Sequence, residues 1–275
     1  MRLLNQPVII ACAPRSGSTM LRAVLGSHSL VHAPHEITLT GISVAAPPTT
    51  ATLGMRALGW KPPDLESLLW DRLLHAELQR SGKQVLVHKS PLDVLHWQRM
   101  ADCWPDARWV FLLRHPAAIA ASWSRATHLP PAAGAERLAR FMRAVTAARA
   151  ALPGTTVRYE ELTADPQDQV RRLCAELGLP YEPSMLEYGD NHPQRWRRGL
   201  GDWSEKIHSG RVLPGRVIAD LGLPLVDELA AEWGYPRQMR STHSVAISDT
   251  TAGNVARMPS TEDGAKSGLS PSGQS

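Results

Sequence analysis

Short apolar runs recur along the chain and alternate with longer stretches whose apolar residues are three or four positions apart. The short runs predict strands, because a strand covered on both faces is apolar at every position. The predicted strands are Val8–Ala13, Gln84–His88, Arg108–Leu113 and Thr155–Tyr159. The longer stretches predict helices at Ser16–Ser27, 65–80 with Asp64 as its cap, Leu92–Met100, Ala117–Arg125, Ala135–Ala151 and Pro166–Leu177. This alternation is typical of an α/β fold, a three-layer sandwich with a central parallel sheet flanked by helices.

A polar motif follows each predicted strand. The motifs are PRSGST, HKSP, LRHP and RYEEL, in chain order. The carboxyl ends of parallel strands meet at one edge of a sheet, and ligands of such sheets bind there. We therefore expect the four motifs to form a single site.

Two regions depart from this alternation. Residues 37–63 are rich in Thr, Ala, Pro and Gly, which predicts mostly loop with a short helix, and we interpret them as a substrate-facing insertion. Residues 241–275 are dominated by small and polar side chains, and no aromatic residue follows Tyr235. Such a segment buries too little apolar surface to offset the entropy of ordering. The sequence thus predicts one domain at 1–238 and a disordered polar tail at 239–275.

Composition narrows the class of protein only a little. The chain has 275 residues and a net charge of +4, which suits an anionic ligand. Its arginines are spread out without interleaved aromatic residues, so we expect no nucleic-acid partner. The three cysteines are far apart, which favours a reducing cytoplasm, and no run approaches the ~18 apolar residues of a membrane span. The Ala- and Arg-rich composition indicates a bacterial source, and nothing in the sequence indicates an oligomeric state.

The first motif, PRSGST, has the features of an anion-binding loop. A strand that turns tightly into a helix directs backbone N–H groups and the helix dipole at an anion. Gly17 allows close approach, Arg15 supplies a cation, and three hydroxyls follow from Ser16, Ser18 and Thr19. A nucleoside-triphosphatase loop instead places Gly-Lys-Ser/Thr at its end, so a metal-bridged triphosphate fits this P-loop-like motif poorly.

A second cationic motif follows the third predicted strand. Arg114 lies at the end of that strand, and Ser122 lies about two helical turns later. An arginine and a hydroxyl that converge on one oxyanion make a second phosphate site.

With both motifs, the sequence resembles the sulfotransferases that use 3′-phosphoadenosine 5′-phosphosulfate (PAPS). The loop resembles the family's PKSGTT or PRSGTT loop on the 5′-phosphosulfate. Arg114 and Ser122 match its strand-end arginine and the serine eight residues later, which bind the 3′-phosphate. The remaining matches are Tyr159, Glu160, Glu161 and Leu162 near the adenine, and Arg197–Trp203 for a late loop, RKGxxGDW, that closes over the 3′-phosphate and is here one residue shorter.

This resemblance implies roles for individual residues. Arg15 takes the position of the family's loop lysine, on the bridging and sulfuryl oxygens. Lys89, in a Lys-Ser-Pro motif, is expected to face the sulfuryl group or the acceptor. Arg198 and Gly199 are expected to contact the donor in the late loop. Because arginines would neutralise the donor, no metal is expected.

The acceptor hydroxyl needs a general base. Glu36 resembles the glutamate that relatives with this loop carry just after the first helix, and His35, His88 and His32 are the alternatives. His28, His32 and His35 have helical spacing, but Pro34 interrupts them, which disfavours a metal site.

The sequence leaves the acceptor and two other functions open. Segments 37–80 and 126–140 are expected to shape the acceptor pocket, and their Ala, Pro, Leu and Trp content favours a small, partly apolar hydroxyl acceptor, such as a lipid or a natural product. A nucleotide or small-molecule kinase is an alternative, but it would need a lysine after Gly17 and an aspartate for magnesium. A non-catalytic nucleotide-binding protein of the same fold is a second alternative, which Glu36, Arg15 and Lys89 disfavour.

Overall fold

A computed structural model describes residues 2–45, 49–191, 205–216 and 220–236. The predicted tail and the late loop with Arg198 and Gly199 lie outside the described residues. The described strands are β1 (Val8–Cys12), β2 (Val31–His32), β3 (Val85–Lys89), β4 (Arg108–Leu113) and β5 (Gly154–Arg158).

These strands form one parallel sheet in the order β2-β3-β1-β4-β5. β1 lies at its centre and pairs with β3 through Ile10 and Lys89 and with β4 through Cys12 and Leu112. The carboxyl ends of β1, β3 and β4 therefore meet at one edge. β2 has only two residues, so it contains no apolar run from which the sequence could predict it.

Helices connect the strands, as the spacing of apolar residues predicts. They are α1 (Ser18–Gly26), α2 (Thr50–Ala57), α3 (Pro62–Ser81), α4 (Trp97–Cys103), α5 (Pro116–Thr127), α6 (Pro131–Ala151), α7 (Tyr159–Ala164), α8 (Pro166–Glu176), α9 (Tyr188–Asn191) and α10 (Pro224–Glu232). None of the helices in the described ranges is both long and apolar enough to cross a membrane.

The sheet separates two apolar clusters, because successive side chains of a strand point to opposite faces. In β1, Val8 and Ile10 belong to one cluster, whereas Ile9 and Ala11 belong to the other. α1 and α8 cover the first face, and α3, α4, α6 and α10 cover the second. The predicted three-layer α/β sandwich is confirmed.

Three local predictions were wrong. Asp64 is not the cap of α3 but its third residue, since Pro62 starts the helix one turn earlier and the Asp64 carboxylate accepts a hydrogen bond from Lys61 N at 2.8 Å. The predicted helix Leu92–Met100 is a 3₁₀ turn (Pro91–His96) followed by α4. Tyr159 does not end β5 but begins α7, so the chain turns directly from strand to helix at this residue.

Candidate active site

The loop after β1 is held in an unusual backbone conformation. Arg15 and Gly17 have φ angles of 68° and 91°, in the left-handed region. For a residue with a Cβ this conformation costs on the order of 1 kcal/mol, and such strain is concentrated at functional sites. The Ser16 hydroxyl donates to the Ala13 carbonyl at 2.7 Å and closes the turn. Ser18 and Thr19 then begin α1, so the first N–H groups of the helix lie at the loop.

Gly17 allows the loop to pack directly against an aromatic ring. A Cβ atom at this position would overlap Cδ2 of Tyr159 and lie 2.6 Å from its Cε2. The Tyr159 ring thus lies against the loop at the start of α1. Glycine is required here both by its φ angle and by this close approach.

The structure brings together the two predicted anion motifs. The Arg15 Nε group donates to the Ser122 hydroxyl at 3.2 Å, and Arg114 Nη1 donates to the Arg15 carbonyl at 2.9 Å. The guanidinium of Arg114 also stacks over Tyr159, 4.1 Å from the ring centroid. Four side chains therefore form one cluster, which we name the arginine cluster: Arg15 after β1, Arg114 after β4, Ser122 within α5 and Tyr159 at the start of α7.

The electrostatics of the arginine cluster favour a bound anion. Burial, together with the positive charges of Arg114 and Arg125, lowers the pKa of Arg15 to about 10. Burial also lowers the pKa of Arg114, against the opposing effect of Tyr159 and Glu160. The Arg114 Nε is buried and finds no hydrogen-bond partner in the described part of the chain. An anion would supply both the missing charge and the missing acceptor.

Glu36 and Lys89 form an ion pair at the carboxyl end of β3. Lys89 ends β3, next to Ile10 of β1, at the same edge of the sheet as the loop. The side chain of Lys89 is 1 % exposed and that of Glu36 is 19 % exposed, so the carboxylate is the partner that reaches solvent. Both residues act electrostatically on the thiol of Cys12 at the end of β1, whose pKa burial raises to about 11.

The alternative histidine bases are arranged differently. His88 Nε2 lies 2.9 Å from an Asp93 carboxylate oxygen, deep in the fold. His32 lies 3.9 Å from Glu77, and burial lowers its pKa. His35 is half-buried next to Glu36 in the same loop. Of these three, His35 is directly adjacent to the predicted base in the sequence, and His32 precedes that base by four residues.

Sequence reasoning missed Arg22, a fully buried arginine of α1. It donates through Nη1 to the Ala33 carbonyl at 3.0 Å and to the Pro34 carbonyl at 3.1 Å. These bonds hold the loop that carries Glu36 against α1. The signal in the sequence was a single charge within an otherwise apolar helix.

Glu160 is a second residue whose contacts the sequence did not reveal. Its carboxylate accepts from His115 N at 2.9 Å and from the Tyr235 hydroxyl at 2.8 Å. His115 follows Arg114 directly and caps α5, where its side chain accepts from Ala117 N. Glu160 thus fixes the turn between Arg114 and α5.

The described residues contain no cluster of three or more metal-binding side chains.

The family model of the sulfotransferases matches residues 7–183, which is more than half of the chain. The chain belongs to the sulfotransferase family. The resemblance of its motifs to that family is thereby confirmed, and the protein is a transferase. The match includes the loop after β1, Glu36, Lys89, Arg114 and Tyr159.

Two solved structures and a relative add to this assignment. This sulfotransferase superposes on the sulfotransferase domain of the Synechococcus olefin synthase with a TM-score of 0.61 at 19 % identity, covering 86 % of this chain and 98 % of that one. The superposition on the sulfotransferase domain from the curacin biosynthetic pathway has a TM-score of 0.59 at 20 % identity, and it covers 85 % of this chain and 99 % of that one. These two share the fold. Nodulation protein NoeE of Sinorhizobium fredii is 26 % identical over 289 residues, covering 86 % of this chain and 67 % of that protein.

Proposed function

We propose that this sulfotransferase moves the sulfuryl group of PAPS to a hydroxyl of a small, partly apolar acceptor. The observation that carries the proposal is the arginine cluster. Half-buried Arg15 and buried Arg114, which follow different strands, meet at the loop before α1. Neither forms an ion pair with a carboxylate in the described ranges.

The described residues fit a donor with two separate anionic groups. The strained loop and the N-terminus of α1 suit the 5′-phosphosulfate, because both present N–H groups and positive charge to an anion. The free Nε of Arg114 and the hydroxyl of Ser122 suit the 3′-phosphate. The Tyr159 ring, which stacks with Arg114, offers an apolar face near the adenine.

Glu36 is the general base in this proposal. The acceptor oxygen forms a bond to sulfur as its proton passes to the Glu36 carboxylate. The bond between sulfur and the bridging phosphate oxygen breaks, and 3′-phosphoadenosine 5′-phosphate (PAP) leaves with that electron pair. Arg15 and Lys89 stabilise the negative charge on the sulfuryl and bridging oxygens.

The acceptor is inferred from the segment that follows Glu36. This segment, 37–60, exposes Leu53, Leu58 and Trp60 to solvent. Exposed apolar side chains in the segment that follows the proposed base in the sequence suit an acceptor that has an apolar portion. The two solved relatives carry the names of an olefin synthase and of the curacin pathway, which supports a natural product as the acceptor.

Calorimetry with PAP tests the donor. We expect PAP to bind more tightly than 5′-AMP or ATP–magnesium, and Arg114→Ala to weaken PAP binding about 10- to 100-fold, as charged hydrogen bonds are lost. The matched control is Arg149→Ala, an exposed arginine in the last turn of α6. A preference for ATP–magnesium, or PAP binding that does not depend on Arg114, would overturn the proposed function in favour of a kinase.

A further inference from the structure

α5 carries one more arginine toward the arginine cluster. Arg125 lies three residues after Ser122, one helical turn further along the same face. Since Ser122 contacts Arg15, this face of α5 points toward the cluster. Arg125 itself is exposed, at the solvent end of that face.

A second exposed arginine approaches from a different part of the chain. Gly215 packs against α7, where a Cβ atom would lie 2.9 Å from Thr163 Oγ1 and 3.4 Å from Tyr159 Cε1. Arg216 follows directly and is therefore beside the ring on which Arg114 stacks.

The segment 205–216 that carries Arg216 is anchored to the fold. The Tyr188 hydroxyl donates to the Arg211 carbonyl at 3.0 Å, and Gly189 N donates to the Gly210 carbonyl at 3.0 Å. Ile207 is buried in the apolar cluster below α1 and α8. The position of Arg216 near Tyr159 is thus supported by these contacts of the residues that precede it and by the packing of Gly215 against α7.

The two exposed arginines are electrostatically linked to each other and to the cluster. Burial and the positive charges of Arg216 and Arg114 lower the pKa of Arg125. Within the described ranges, neither Arg125 nor Arg216 has a carboxylate at ion-pair distance. Four arginines therefore converge, and within the described ranges none of them forms an ion pair with a carboxylate, although Glu160 acts on Arg114 from a longer distance.

That excess of positive charge matches the donor. A phosphate monoester carries up to about two negative charges at neutral pH, and the phosphosulfate adds one on each of its two groups. Arg15 and Arg114 balance only half of this total, and the charge of Lys89 is already paired with Glu36.

We propose that Arg125 and Arg216 form an outer arginine pair that binds the 3′-phosphate of the donor and selects nucleotides that carry it. The inference rests on the proposed function. It assigns to this chain two residues that lie outside the motifs of the sequence analysis. The outer pair completes from the solvent side the 3′-phosphate site that Arg114 and Ser122 begin.

Titration of PAP and 5′-AMP into single and double variants tests the outer pair. We expect Arg125→Ala and Arg216→Ala each to weaken PAP binding about tenfold and the double variant more, while binding of 5′-AMP, which lacks the 3′-phosphate, stays within about twofold. Lysine at either position is expected to retain part of the affinity, because it keeps the charge. Arg149→Ala is again the control, and thermal unfolding of each variant checks the fold.

The outcomes separate this inference from the proposed function. If wild-type protein does not prefer PAP to 5′-AMP, the proposed function fails, and the outer pair fails with it. If wild type prefers PAP but the two arginines make no difference, only the outer pair is overturned. An equal loss for PAP and 5′-AMP would also overturn it, since the arginines would then support the fold or another part of the nucleotide.

Discussion

The donor side and the acceptor side of the candidate site are built in different ways. On the side proposed for the donor, Arg114 and Ser122 are buried, each 8 % exposed, whereas Arg15 and Tyr159 are half-buried. Each member of the arginine cluster contacts another element. On the acceptor side, the segment 37–60 is held at its start and then becomes exposed, with Leu58 at 78 % exposure. The fold thus fixes the residues proposed for the donor and leaves those proposed for the acceptor accessible.

The start of the acceptor segment shows where that difference begins. Asp93 accepts hydrogen bonds from Leu39 N at 3.1 Å and from Thr40 N at 3.0 Å, and it also accepts from the Thr40 hydroxyl. Val44 N donates to Glu66 at 3.0 Å. From residue 49 to residue 60, by contrast, nearly every side chain is exposed or half-buried, apart from Thr52. The residues proposed for the donor and those proposed for the acceptor therefore differ in burial and in the number of contacts that hold them.

The largest expected effect is at the boundary between the two sides. Glu36→Gln removes the proposed base but keeps an oxygen that can accept from Lys89, so the fold should persist. We expect the rate of transfer to fall about 10²- to 10⁴-fold, which is the usual contribution of a general base. PAP binding should be unchanged. The measurement is single-turnover formation of PAP from PAPS with a medium-chain primary alcohol, alongside calorimetry with PAP.

His35→Gln is the discriminating variant for this prediction, because His35 is the neighbouring alternative base. It should retain most of the activity. A loss in His35→Gln that exceeds the loss in Glu36→Gln would assign the base to His35 instead.

Gly17→Ala tests the donor side alone. An alanine with a φ angle of 91° has a strained backbone, and its methyl group would overlap the Tyr159 ring. The ring must therefore move, which disturbs its stacking with Arg114. We expect a loss of about 1–3 kcal/mol in the free energy of unfolding and at least tenfold weaker PAP binding. Chemical denaturation and calorimetry measure the two quantities.

Gly82→Ala is the matched control, since Gly82 also has a positive φ angle, 66°, but open space around it. It should show the backbone strain without the loss of PAP binding. Equal PAP affinity in both variants would show that the contact between the loop and Tyr159 is unimportant for the donor.

Asp93→Asn tests the anchor of the acceptor segment. Burial would raise the pKa of Asp93, but the hydrogen bond and charge of His88, with the bonds from Thr40, hold it below its ordinary value of 3.8. A carboxylate with a lowered folded pKa stabilises the fold above its ordinary pKa, and the effect is lost as pH falls through the folded value. We expect the variant to be about 1–3 kcal/mol less stable at pH 7, since up to four hydrogen bonds lose a charged acceptor.

Urea denaturation as a function of pH measures this effect. The difference between wild type and Asp93→Asn should shrink as the pH falls below 3.8. Asp102→Asn, at an exposed position of α4, should show neither the difference nor its pH dependence. If the difference in the free energy of unfolding between wild type and Asp93→Asn does not change with pH, the charge of Asp93 does not contribute to stability.

The sequence predicted the donor side better than the acceptor side, for a physical reason. β1 and β4 are buried apolar runs, so their ends could be located, and parallel strands must bring Arg15 and Arg114 to one edge. Arg22 could not be assigned in this way, because its role depends on which carbonyls lie opposite it once the chain has folded. The same holds for Arg216, whose neighbour Tyr159 is 57 positions away in the sequence. Local pattern predicts elements and their ends, whereas contacts between remote segments need the fold.

The smallest expected effect concerns stability on the acceptor side. Leu58→Ser and Trp60→Ser change exposed side chains, so the free energy of unfolding should change by less than about 0.5 kcal/mol.

If these side chains contact the apolar portion of the acceptor, KM for a medium-chain primary alcohol should rise several-fold in both variants, because about 0.8 kcal/mol is lost for each CH₂ group no longer buried. PAP affinity should not change. Leu3→Ser, at a leucine that is 43 % exposed and far from the insertion in the chain, is the control. If KM rises equally for glycerol and for the alcohol, or rises for neither, the segment is not the apolar acceptor surface. The two sides would then differ in their burial but not in the ligands that they bind.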